Sequence, residues 1–117
     1  FAYGDPPVSY AYGTFPEGTT YIVHIQGDSM EGLIPDDSYV AVRKIDEFPT
    51  PGTIGIFRLE SGEMVCKRYL ELKDGRKVLK SQNTKYKPII LTPEVYCKAE
   101  GEVLKWKKTQ LAVFERE

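Results

Sequence analysis

Apolar and polar side chains alternate with a period of two along most of this chain, and no segment sustains the three-to-four spacing of a long amphipathic helix. Residues 19–26, Thr-Thr-Tyr-Ile-Val-His-Ile-Gln, are β-branched and aromatic and stop at Gly27, which predicts a strand. Pro35-Asp36-Asp37 turns the chain into a second strand over 38–43, with Tyr39, Ala41 and Arg43 on one face and Val40 and Val42 on the other. After the Phe48-Pro49-Thr50-Pro51-Gly52 turn, residues 53–59 and 63–72 read as a hairpin closed by Glu60-Ser61-Gly62. Asp74-Gly75 then leads into a strand over 77–80. Residues 96–107 predict a long strand bulged at Gly101, and 111–114 a last short one. Strands joined by tight turns imply a mostly β, antiparallel and compact fold.

Two stretches break the pattern. In residues 1–18, Gly4, Pro6, Pro7, Gly13, Pro16 and Gly18 are interleaved with Tyr3, Tyr10, Tyr12 and Phe15. Pro and Gly at that density oppose regular elements, so 1–18 is expected to be an extended arm, with its aromatics lying on a domain formed by 19–117. Residues 81–88 are polar and irregular, and precede the apolar Ile89-Ile90-Leu91.

Composition narrows the possibilities. A chain of 117 residues with 41% hydrophobic content can bury one modest core. Its 16 basic and 17 acidic residues give a net charge of −1, without the basic excess of a free-standing DNA-binding domain. Lys105, Lys107 and Lys108 beside Trp106 read more simply as a solvated strand face than as a nucleic-acid patch. Cys66, Cys97 and His24 are too few and too scattered for a zinc site, and the cysteines fit reduced core residues of a cytoplasmic protein. No cofactor, metal or membrane segment is expected. The start at Phe1 suggests a piece of a longer chain.

The chemistry-bearing residues are Ser29, in the turn Gly27-Asp28-Ser29-Met30, and Lys67, in Met64-Val65-Cys66-Lys67-Arg68. A serine on a turn and an uncharged lysine on a later strand can form a dyad in which the amine takes the hydroxyl proton. Period two sets Lys67 between Val65 and Tyr69 on one strand face, and burial there would disfavour the ammonium form. Each residue also has a plainer reading. Asp28 and Glu31 are spaced as a capping box for one helical turn over 30–33, with Ser29 merely in that turn, and Lys67 could be solvated on the hairpin's outer face.

These residues resemble the carboxy-terminal domains of LexA-like repressors, including phage repressors and UmuD-type mutagenesis proteins. The likeness runs through Gly27-Asp28-Ser29-Met30, the Pro35-Asp36-Asp37 turn, Val65-Cys66-Lys67-Arg68, the segment from Ser81 through Asn83 and Tyr86 to Pro88-Ile89, and Glu100-Gly101. The resemblance implies a signal-peptidase-like β fold with Ser29 as nucleophile, Lys67 as general base, and an oxyanion hole from the N–H groups of Ser29 and Asp28. It implies cleavage of the chain's own linker to an upstream DNA-binding domain, relieving repression after DNA damage. Implied partners are a second copy of the chain, pairing through residues 103–114, and a RecA-type filament, with DNA bound only through the upstream domain.

Departures from the family leave alternatives open. Gly4-Asp5-Pro6 looks like the sequence after a scissile bond, but Tyr3 precedes Gly4 where the family favours a small residue, and Tyr12 likewise precedes Gly13. The cut bond is then Tyr3-Gly4, or lies upstream, or the domain seldom cleaves and serves as an oligomerisation module released by an antirepressor protein. A type I signal peptidase shares the Ser-Met and Lys-Arg motifs but not the 83–89 segment. A triad using His24 lacks an evident buried acid to orient the ring.

Overall fold

The computed structural model describes residues 2–5, as backbone, and residues 16–107. Eight strands follow one another: β1 (Ala2–Asp5), β2 (Tyr21–Ile25), β3 (Tyr39–Lys44), β4 (Ile54–Leu59), β5 (Met64–Glu71), β6 (Lys77–Lys80), β7 (Ile89–Ile90) and β8 (Cys97–Lys107). They form one antiparallel sheet in the order β1-β2-β3-β8-β4-β5-β6-β7. The described residues contain no helix, and so none long and apolar enough to cross a membrane.

The hairpin of β4 and β5 and the strand β6 lie within a residue or two of where alternation predicts them. The opening stretch differs. Ala2–Asp5 pairs with β2, from Ala2 opposite Ile25 to Asp5 opposite Ile22, so this part of the arm is a strand. The prolines follow it, at positions 6 and 7, and leave its own N–H groups free to join the ladder. The remainder of the predicted arm up to residue 15, and the predicted strand over 111–114, lie outside the described residues.

Curling of the sheet brings β1 against β5, although the two are far apart in strand order. As a result the middle strands are covered on both faces. Cys66 joins Ile54, Ile56, Val23, Val40 and Met30 in one apolar cluster, while Val65 and Tyr69, its neighbours on the opposite face, join Phe57, Leu79 and Ala99 in a second. Phe48 stacks on Tyr69 at 5.1 Å between ring centroids and extends the second cluster.

β8 is the seam. Cys97 to Glu102 pairs with β4, and Gly101 to Lys107 pairs with β3. The predicted bulge is there: Ile56 faces Gly101 but Phe57 faces Ala99, which leaves Glu100 as the extra residue. Its carbonyl, displaced from the ladder, accepts a hydrogen bond from the Tyr21 hydroxyl at 2.9 Å, and burial raises that phenol to a pKa of about 12. Gly101 is required by close approach, since a Cβ would sit 2.1 Å from Val42 Cγ1 and 2.6 Å from the Tyr21 hydroxyl. Residues 103–107, within the length through which the resemblance implies pairing with a second copy, are hydrogen-bonded to β3 on one side. Only its pairing with β4 stops, at Glu102.

Candidate functional site

Ser29 is set by what brackets it. β2 ends at Ile25, and Gly27 turns the chain with φ of +108°, a conformation that side chains other than glycine rarely adopt. Its N–H donates to Asp36 Oδ1 at 2.8 Å. Met30 and Ile34, both fully buried, anchor the other side in the first cluster, and turn hydrogen bonds from Leu33 and Ile34 N–H to Met30 O hold them. A single turn closes over 30–34, but the capping box does not form. Glu31 Oε1 accepts from the Asp36 N–H at 2.8 Å instead of reaching back to Asp28, because the returning 35–37 turn brings a free donor closer.

Lys67 lies on the β5 face carrying Val65 and Tyr69, as alternation places it, and its relative exposure is only 8%. The reading that put it on a solvated outer face therefore falls. Burial pushes its amine below the ordinary lysine value of 10.5, with Cys66 and Glu63 pulling weakly the other way. Nζ donates to Ser81 Oγ at 2.8 Å, and Ser81 itself is buried.

Ser29 and Lys67 line one cleft of about 270 Å3. Leu59, Val65 and Ile89 supply its apolar walls, Glu63 a carboxylate, and Tyr86 part of its rim. Among the described residues no hydrogen bond joins the Ser29 hydroxyl to the Lys67 amine. The Ser29 N–H likewise has no acceptor, as an oxyanion donor requires. Hydrogen bonds from Lys85 and Tyr86 hold the Asp28 carboxyl below its usual range.

The polar segment after β6 fastens this turn. The Asn83 N–H donates to Ser29 O at 2.9 Å, Asn83 Nδ2 to Asp28 O at 3.1 Å, and the Gln82 N–H to Met30 Sδ at 3.4 Å. The Tyr86 hydroxyl donates to Asp28 Oδ1, and Lys85 Nζ lies 2.7 Å from Asp28 Oδ2. The Tyr86 ring centroid is 5.7 Å from Lys67 Nζ. Along the sequence this segment reads as polar and irregular, and the family resemblance runs through it, but nothing there gives Ser81 a role of its own. Its one local signal was a hydroxyl directly after a strand, too common to single out.

His24 is not part of the cleft lining. Asp37 Oδ1 lies 2.5 Å from His24 Nε2, and the ring stacks on Tyr39 at 4.5 Å. Asp37 is exposed, so it is not the buried acid a triad would need, and the pair ties β2 to the turn that precedes β3. The Tyr3-Gly4 bond sits in β1 opposite His24 and Val23, between the strand leading to Ser29 and the strand carrying Lys67. Both thiols are free and raised by burial, Cys66 to about 12 and Cys97 to about 11.

The chain is similar in sequence to known proteins. A curated relative, the LexA repressor of Carboxydothermus hydrogenoformans, is 36% identical over 92 residues, covering 77% of this chain and 43% of the relative. The chain thus spans less than half the length of that repressor. The family model described as Peptidase S24-like matches residues 3–104, nearly all of the described fold with Ser29, Lys67 and Ser81 inside it. On that match and the LexA likeness together, the chain belongs to the Peptidase S24-like family.

Proposed function

We propose that this domain is the self-cleaving and dimer-forming part of a LexA-like repressor, cut to end repression after DNA damage. The observation that carries the proposal is a serine and a buried lysine of lowered pKa lining a single cleft. In the reaction the Ser29 hydroxyl proton passes to the neutral Lys67 amine as Oγ bonds to the scissile carbonyl carbon. The Ser29 N–H stabilises the oxyanion, and the C–N bond breaks as Lys67 returns the proton to the leaving amine. Water, deprotonated by the same amine, then releases the acyl group.

The bond cut is Tyr3-Gly4 or one upstream, and the flanking of β1 by β2 and β5 supports a substrate strand in that place. Dimerisation uses β8 beyond Glu102, where pairing with β4 has ended. Cutting the chain separates paired heads from their dimerising tails, so the avidity of two linked half-site contacts is lost. A RecA-type filament is the proposed stimulus. Incubating the full-length protein across neutral to alkaline pH tests the chemistry. Cleavage should rise with pH and vanish in Ser29→Ala and Lys67→Ala, and a flat profile refutes a lysine base.

The bond from Lys67 to Ser81, in place of one to Ser29, favours a second reading. In it the domain is an uncut oligomerisation module controlled by an antirepressor. A blot of the full-length protein before and after DNA damage separates the two, since only the first predicts its disappearance.

A further inference from the structure

One short stretch sends hydrogen bonds both to Ser29 and to Lys67 across the cleft, and its first residue is Ser81. The hydroxyl of Ser81 takes an N–H of the Lys67 amine at 2.8 Å, and two residues later the Asn83 N–H holds Ser29 O at 2.9 Å. Behind Ser81 the chain is already fixed. Lys80 pairs with Arg68 on β5, one residue from Lys67, and Leu79 is fully buried. The stretch 81–83 therefore grips the nucleophile's turn with one end and the base with the other.

We infer that Ser81 is a positioning residue for the Lys67 amine in the Ser-Lys reaction, an inference that rests on the peptidase reading above. A neutral lysine amine has two N–H bonds and one lone pair on a freely rotating terminus, and only the lone pair can take a proton. When one N–H is committed to Ser81 Oγ, rotation about the last C–N bond is restricted and the lone pair is confined to directions facing the cleft. The neighbours of Lys67 on its own strand face, Val65 and Tyr69, cannot do this. Val65 is apolar, and the Tyr69 hydroxyl is committed to Glu71 Oε2 at 2.6 Å. Glu63, also on the cleft lining, would hold the amine as an ammonium, which is the wrong form for a base. A buried hydroxyl satisfies the amine without protonating it.

The acceptor role also fixes a sign. An ammonium N–H makes a stronger hydrogen bond to Oγ than an amine N–H, so removing the hydroxyl penalises the charged form more. Ser81→Ala should then cleave more slowly at high pH and yet titrate at lower pH, a combination that general loosening of the fold does not produce.

The test has two arms. Self-cleavage of the full-length protein is followed across neutral to alkaline pH for wild type, Ser81→Ala and Ser81→Thr. In parallel, the Lys67 amine of the 117-residue chain is titrated through its 13Cε resonance for the same variants. The expected result is a limiting rate about 10- to 100-fold lower in Ser81→Ala, the scale of a misplaced reacting group, with recovery to within a few-fold in Ser81→Thr. The amine midpoint should fall in Ser81→Ala and return in Ser81→Thr. An unmoved midpoint in Ser81→Ala overturns the inference whatever the cleavage rates, as does a folded Ser81→Thr that is as slow as Ser81→Ala. An inert wild type whose midpoint still moves in Ser81→Ala overturns the peptidase reading instead, and leaves the hydroxyl-to-amine contact standing.

Discussion

Two lysines approach the ring of Tyr86, and they live in opposite electrostatic worlds. Lys85 Nζ lies 5.3 Å from the ring centroid on the exposed rim, where Asp28 pairs with it and raises its pKa. Lys67 Nζ lies 5.7 Å from the same centroid inside the cleft, with a neutral hydroxyl as its partner and burial lowering its pKa. The shared aromatic neighbour does not distinguish them. Access to water and the charge of the partner do, because desolvation penalises the ammonium while a carboxylate rewards it. Placing the acid at the rim lets two neighbouring amines shift in opposite directions, one below and one above the ordinary lysine value.

The sharpest way to break this contrast is to delete each lysine. Lys67→Ala should lower self-cleavage at least about a thousandfold, the scale of losing a member of a nucleophile-base pair. Lys85→Ala should leave the rate within a few-fold of wild type, as quantified by gel densitometry of the full-length protein at one alkaline pH. An equal loss in both variants would show that the rim ion pair, not burial, controls the chemistry.

Asn83→Ala should fall between them. It removes the side-chain bond to Asp28 O, costing about 1 kcal/mol in a denaturant titration, and lets the Ser29 turn drift from the amine, for a rate loss of about tenfold. A rate loss without any stability change would mean that Asn83 touches substrate instead of holding the turn.

Linkage gives a smaller and cleaner signal. Because the Lys67 pKa is lowered on folding, the unfolded chain binds more protons between that depressed value and 10.5, so this residue's contribution to stability grows as pH rises through the window. Tyr21 and Cys66, both raised to about 12, act in the opposite sense over alkaline pH. Comparing wild type with Lys67→Met cancels them. The stability difference should shift in favour of wild type as pH approaches 10.5, and a gap independent of pH would show that Lys67 titrates normally. The least effect belongs to Lys85→Ala, whose exposed ion pair should contribute no change in denaturation midpoint in high salt.

Much of this was legible along the chain. The β5 alternation assigned Lys67 to the face of Val65 and Tyr69, and the 8% exposure agrees, because a strand's period is rigid once its ends are set by turns. Gly27 announced the turn before Ser29 for a similar local reason. Other features had no local cause. That His24 would find Asp37 and that Ala2–Asp5 would pair with β2 each depended on where another segment returned. Ser81 is the extreme case, a serine with no pattern of its own whose role exists only because β6 lies beside β5.

The sequence by itself determined strands β2 to β6 and β8, the turns between them and the residue types able to do acyl transfer, since backbone preference and side-chain alternation act over a few neighbours. Tertiary structure alone decided which strand face would be dry, which hydroxyl would meet the amine, and how the 82–86 segment would clasp the turn of Ser29. The physical reason is that desolvation and hydrogen-bond partnership are properties of a place in space, and this sheet builds that place from residues as far apart as 28 and 86.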